Sequence, residues 1–388
     1  MRALKLMEAL FKMLFLVAAF TLLTSSDVLS HEVVEHSDPE LLIGWQIWLH
    51  LTIQWTHLVA FSLWLGLSAG TLLLGIKPSL DQLLYSSWIL LLVILATGTY
   101  NMEWSAGISK TPTLLLLPLL ERIPYGVTYT VILAIKLGFY TLTVIITLIL
   151  TLLHLQGQVD KNKLRQIFLS SGAFLGVFIA FMTSIVLLFH EVADLWPTAL
   201  HSSGGVVGPE GPRGQIGADQ NVPPPNDFRP LATQTVWIDI GVRWVHLLGF
   251  GLWLGGNAVA LVFNRISPGR FLLYSWIALI IQVLSGIASM GRWTPFYLSP
   301  YAWNLDELSH LRFGRIYTLF MATKHILVIM AISLTVIMTV RYHRIHSKKG
   351  TDQLGLQPFV VVGFFLGLAI GYIMIIVLLL HEGVDHAL

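Results

Sequence analysis

The sequence predicts an all-α integral membrane protein: eight transmembrane helices in two tandem four-helix units, preceded by a signal peptide. Three observations carry that prediction. Of 388 residues, 55% are hydrophobic and only 11% charged, at a mean hydropathy of +0.74. An ordinary soluble domain carries about 25% charged residues, so this chain has too few to clothe its surface in water. The apolar residues gather into eight segments of spanning length, and the second half of the chain repeats the first.

Residues 1–30 read as a cleaved export signal. Arg2, Lys5 and Lys12 form a basic start, Met13 to Leu23 a short apolar core, and Val28-Leu29-Ser30 a small-residue end. That core is shorter than the about 20 residues a span needs. The eight apolar segments follow at 41–76, 83–104, 127–153, 167–190, 235–263, 271–291, 314–340 and 358–381. Ser37-Asp38-Pro39-Glu40 opens the first with a cap, a first-turn proline and an acid. Lys77, the Lys161/Lys163/Arg165 group, Arg265/Arg270 and the Arg341–Lys349 cluster fall in alternate loops, which are therefore expected on the cytoplasmic side. The mature N-terminus, the middle loop and the C-terminus then lie outside, as an exported N-terminus also requires.

The repeat is explicit. Gln54 to Gly66 returns as Arg243 to Gly255 with eight of thirteen positions identical, including Trp-x-His-Leu and Leu-Trp-Leu-Gly. Thr97-Gly98 with Met102 matches Ser285-Gly286 with Met290. Tyr129-Thr130 with Lys136 matches Tyr317-Thr318 with Lys324, and His190-Glu191 matches His381-Glu382. Four helices per copy, an even number, give a parallel repeat. The expected division is a first unit over 31–200, a linker over 201–230 and a second unit over 231–388, drawn as two bundles side by side. The linker holds six Gly and six Pro, a composition that supports no core.

Composition also excludes whole classes of chemistry. There is no cysteine, hence no disulfide, thiolate-held zinc or iron–sulfur cluster. A net charge of +2 gives no basic field for nucleic acid. Any metal or cofactor must be held by the 14 histidines, the 10 methionines or the carboxylates, and the lipid bilayer is the expected partner.

Depth then sorts the candidates. Counted from the cytoplasmic ends at about 1.5 Å per residue, His57 and His246 lie roughly 30 Å up, as do Met102 and Met290. Lys136 and Lys324 come out at about 25–28 Å, His325 at about 24 Å, and His190 and His381 at about 35 Å. The repeated polar residues therefore share one layer in the outer leaflet. Singly, each has an ordinary explanation: interfacial histidine, snorkelling lysine, gap-filling methionine. Together they mark a site, because intramembrane ionisable groups are expensive unless used.

Two chemistries fit that layer. Copper suits imidazole and thioether: His57 with His190, Glu191 and Met102, and His246 with His381, Glu382 and Met290, would each hold an ion taken from outside. Haem b suits two histidines on neighbouring helices of a bundle: His246 with either His325 or His381, and Arg243, one turn before His246, either beside a propionate or paired with Asp239 on its own helix. Leu137 stands where the second copy has His325, so a haem using that helix belongs to the second half alone.

The motif His-Leu-x-x-Phe-x-Leu-Trp-Leu-Gly on the first helix, Thr-Gly or Ser-Gly on the second, and Tyr125-Gly126 or Phe313-Gly314 leading to a helix-embedded Lys resemble the copper-resistance D superfamily. The likeness runs over about 41–190 and 235–388. It implies copper uptake or handling in a bacterial-type inner membrane, with an extracytoplasmic copper chaperone or a cytochrome c-type protein as partner. Related branches resemble haem-containing protoporphyrinogen oxidase, and that likeness implies a haem held by a first-helix His and a third-helix Lys: His57 and Lys136, and His246 and Lys324. Both halves match, the fourth helices end in His-Glu, and His325 is an addition. The expectation is an outer-leaflet histidine site that handles copper, with a b-haem electron-transfer or oxidoreductase subunit as the alternative.

Overall fold

A computed structural model describes residues 45–105, 126–157, 159–194, 231, 234–263, 267–290, 314–346 and 357–385. The signal segment, the linker over 201–230, the histidine-containing start at His31–His36 and the Ser37–Glu40 helix start lie outside the described residues.

Every described element is helical. Helix α1 runs over Trp45–Leu65, continues through a π-helical stretch at Gly66–Gly70 and ends in the turn Thr71–Leu74. It is followed by α2 (Leu80–Ser105), α3 (Gly126–Gln156), α4 (Lys161–Asp194), α5 (Gln234–Phe263), α6 (Pro268–Met290), α7 (Gly314–His346) and α8 (Gln357–Asp385). Among the described residues, eight helices are long and apolar enough to cross a membrane. They match the eight expected segments, and α4 and α7 extend beyond them by a turn or more. Gly75, at a φ of 67°, ends α1: the left-handed position turns the chain, and the Gly75 and Ile76 amides donate to the Leu72 and Thr71 carbonyls. Gly157, at 66°, ends α3 the same way.

The arrangement is set by which helices can approach closely. In the most apolar window of α1, 72% of residues are buried, against 22% in α3 and 17% in α7. So α1, α4, α5 and α8 form the centre, while α3 and α7 carry exposed rows such as Ile145, Leu148, Ile149 and Leu152, and Ile326, Ile329 and Met330. In lipid such rows cost nothing, which is why a pattern that would aggregate in water is stable here.

The helices α1 and α5 cross at Gly66 and Gly255. A Cβ on Gly255 would lie 2.6 Å from Gly66 Cα and closer still to the Ser62 carbonyl oxygen, so only glycine permits this approach. Matching small residues seat the fourth helix of each half: Gly176 faces Trp64 and Leu65, and Gly367 faces Trp253 and Leu254. Across the halves, the Trp55 indole donates to the Leu368 carbonyl at 3.0 Å. One buried cluster joins Leu51, Trp55 and Leu58 of α1 to Phe250 of α5 and Phe364 and Tyr372 of α8. The two halves thus share their core, rather than standing as two separately packed bundles.

Candidate functional site

The sequence marks His57, and its surroundings explain why. His57 sits on α1 one turn above the buried Phe61 and faces α2. Its Nδ1 lies 2.9 Å from the Thr97 hydroxyl. Thr97 has one proton to give, and it donates that proton to the Val93 carbonyl at 2.6 Å. The Thr97 oxygen must therefore accept from His57, which fixes the imidazole as the Nδ1–H tautomer. Nε2 is left as a bare lone pair with no hydrogen-bond partner among the described residues. Gly98 lets the ring lie close to α2: a Cβ there would stand 3.1 Å from His57 Cε1.

His57 lines a cavity of about 290 Å³. Lys136 of α3 lines it too, close enough to His57 to interact electrostatically. The first three helices therefore bring together the first-helix His and the third-helix Lys that the repeat singled out. The rest of the wall is mostly apolar. It includes Phe61, Leu133 and Ile179 from the first half, and Leu247 of α5 and Met374 of α8 from the second. The cavity thus spans the seam between the halves. Asn101, one turn beyond Thr97, also lines it, and its buried Oδ1 has no hydrogen-bond partner among the described residues. Tyr140 commits its hydroxyl proton to the Leu91 carbonyl at 2.5 Å.

The second half repeats the inner bond and changes the outer one. His246 Nδ1 lies 3.0 Å from the Ser285 hydroxyl, which donates to the Ile281 carbonyl at 2.6 Å, so His246 holds the same tautomer. Its Nε2, however, meets the Gln282 amide nitrogen at 3.0 Å. Both of its nitrogens are spent on α6. His325 is half-buried, and its Nδ1 lies 2.7 Å from the Met321 carbonyl of its own helix. Ligation of iron by His246 with His325 would first require Gln282 to leave. Lys324 neighbours both histidines on the electrostatic scale, and Arg243 is half-buried on α5.

The remaining candidates are placed on helices, but their side chains lie outside the described residues. Met102 is near the end of α2, Met290 ends α6, His190 and Glu191 are in the last turns of α4, and His381 and Glu382 are in those of α8. Among the described residues, no group of three or more His, Asp or Glu stands ready to hold a metal ion. Sequence reasoning did not single out Thr97 as a tautomer lock or Gln282 as a cap. The signal for Thr97 was present, since a hydroxyl precedes the glycine in both copies. Gln282 had no such signal, because its counterpart is Ile94.

Comparison with family profiles, with curated proteins and with solved structures gave no match.

Proposed function

We propose that this protein is a b-haem electron-transfer or oxidoreductase subunit of a bacterial-type inner membrane, holding its group in the first-half cavity with His57. The supporting observation is the bare Nε2 lone pair on the wall of an apolar cavity of about 290 Å³. That volume is just under the roughly 300–1,000 Å³ typical of organic-ligand pockets, whereas a bare ion needs no such space. The donor set fits a haem: a neutral imidazole of fixed tautomer for the iron, and Lys136 and Asn101 as polar groups for its acidic edge. When bound, haem supplies one-electron chemistry. The chain's own part is to orient His57 through Thr97, neutralise an acidic edge with Lys136 and exclude water with Phe61, Leu133 and Ile179.

The reading includes a duplicated four-helix unit, supported by the paired bonds His57–Thr97 and His246–Ser285, and Trp88–Thr151 and Trp276–Thr339. It also places both termini outside, on the distribution of Lys and Arg. An absorption spectrum of the purified chain, oxidised and then reduced, tests the function. A Soret band that shifts on reduction supports it. Bound copper without a Soret band returns the site to copper handling through His57, His190 and Glu191.

A further inference from the structure

Across the two halves, one position beside the matched histidines differs in chemistry. Counting back three residues from the matched Thr97 and Ser285, Ile94 of α2 corresponds to Gln282 of α6. Ile94 is apolar and lines the His57 cavity. Gln282 carries its amide nitrogen to 3.0 Å from His246 Nε2, the nitrogen whose counterpart in the first half is bare. Because Ser285 already fixes the Nδ1–H tautomer, Nε2 can only accept, so the amide must donate.

A second observation points the same way. Three residues after each histidine stand Ala60 in the first half and Gly249 in the second. A Cβ on Gly249 would lie 3.1 Å from Gln282 Oε1 and 3.2 Å from the Gln282 backbone nitrogen. The missing methyl at Gly249 makes room for the longer side chain on α6. Alanine and isoleucine in one half are matched by glycine and glutamine in the other. Among the described residues the cap is held by one bond, since Gln282 Oε1 is buried there with no hydrogen-bond partner.

We propose that the second half holds a closed counterpart of the His57 site, in which Gln282 occupies His246 Nε2 as a built-in substitute for a ligand, so that of the two matched histidines only His57 is open to a ligand. That the loaded group is haem rests on the function proposed above; the capping of His246 does not.

The test is carbethoxylation by diethyl pyrocarbonate, which attacks the free nitrogen of neutral imidazole, applied to the purified full-length chain after haem extraction and read residue by residue by mass spectrometry. In the unaltered protein His57 is modified and His246 reacts roughly five- to tenfold more slowly, the factor one amide hydrogen bond supplies. Gln282→Ile, which installs the first-half residue, and Gly249→Ala, which displaces the amide with a methyl group, each bring His246 to the rate of His57. Equal modification of His57 and His246 in the unaltered chain overturns the proposal. So does a His246 that stays slow in both variants, or two haems per unaltered chain. A chain that carries no haem while showing the expected labelling sinks the haem reading and leaves the cap standing.

Discussion

Thr97→Val removes the hydroxyl that fixes the His57 tautomer while keeping the side-chain shape. In the unaltered chain the Nδ1 proton rests on Thr97 Oγ1 at 2.9 Å, and ligation at Nε2 needs no proton movement. In the variant, Nδ1–H would face a methyl group, so the empty protein moves its proton to Nε2, on the cavity side. A ligand at Nε2 must then push that proton back to an unsupported site, at a cost of about 1–3 kcal/mol. At about 1.4 kcal/mol per tenfold, the loss is roughly five- to 150-fold in affinity, in line with the about 10–100-fold seen for supporting partners of metal-binding histidines. The assay is a haem titration of the extracted protein in detergent, followed at the Soret band. Thr97→Ser keeps the hydroxyl and should restore affinity, and Ser285→Ala, the same change in the second half, should leave it unaltered. An affinity for Thr97→Val within twofold of the unaltered protein would refute the tautomer argument.

Three more perturbations probe the frame around the site. Gly66→Ala puts a methyl group into the α1–α5 crossing, where only backbone is available to yield, and should lower the thermal midpoint by the equivalent of about 1–3 kcal/mol; Gly138→Ala, with nothing within 4 Å of its added carbon, should be neutral or slightly stabilising, and equal midpoints would contradict the packing described. Trp55→Phe removes the indole bond to Leu368 that ties the halves together and should cost about 0.5–1.5 kcal/mol in the same melt; an unchanged melt would show that this bond holds nothing. A reporter fused after Lys349 should be cytoplasmic and one inserted near Gly211 external; both on one side would end the eight-span topology.

Much of this molecule was legible in the sequence because bilayers impose simple rules. Spanning helices must be long and apolar, and all eight expected segments coincide with described helices. The repeat marks His57 and Lys136 separately, and their pairing was implied only by the family resemblance; both line one cavity. The central position of α1 and α5 was less legible. Its signal was the small-residue stretch Gly66-Leu67-Ser68-Ala69-Gly70 and its partner Gly255-Gly256, but such stretches acquire meaning only when two backbones meet. Depth counting placed His246 and His325 within reach of one iron, yet depth says nothing of hydrogen bonds. His246 is engaged by Gln282 and His325 turns to its own helix. Lone-pair directions depend on which hydroxyl proton goes where, and that information resides in three-dimensional neighbours such as the Val93 and Ile281 carbonyls.

The most direct test of the central claim is to compare the haem content of His57→Ala and His246→Ala, purified side by side and measured as the pyridine haemochrome. The proposed function predicts loss of haem in His57→Ala and full retention, one per chain, in His246→Ala. Haem retained in His57→Ala and lost from His246→Ala would contradict it and move the site to the second half.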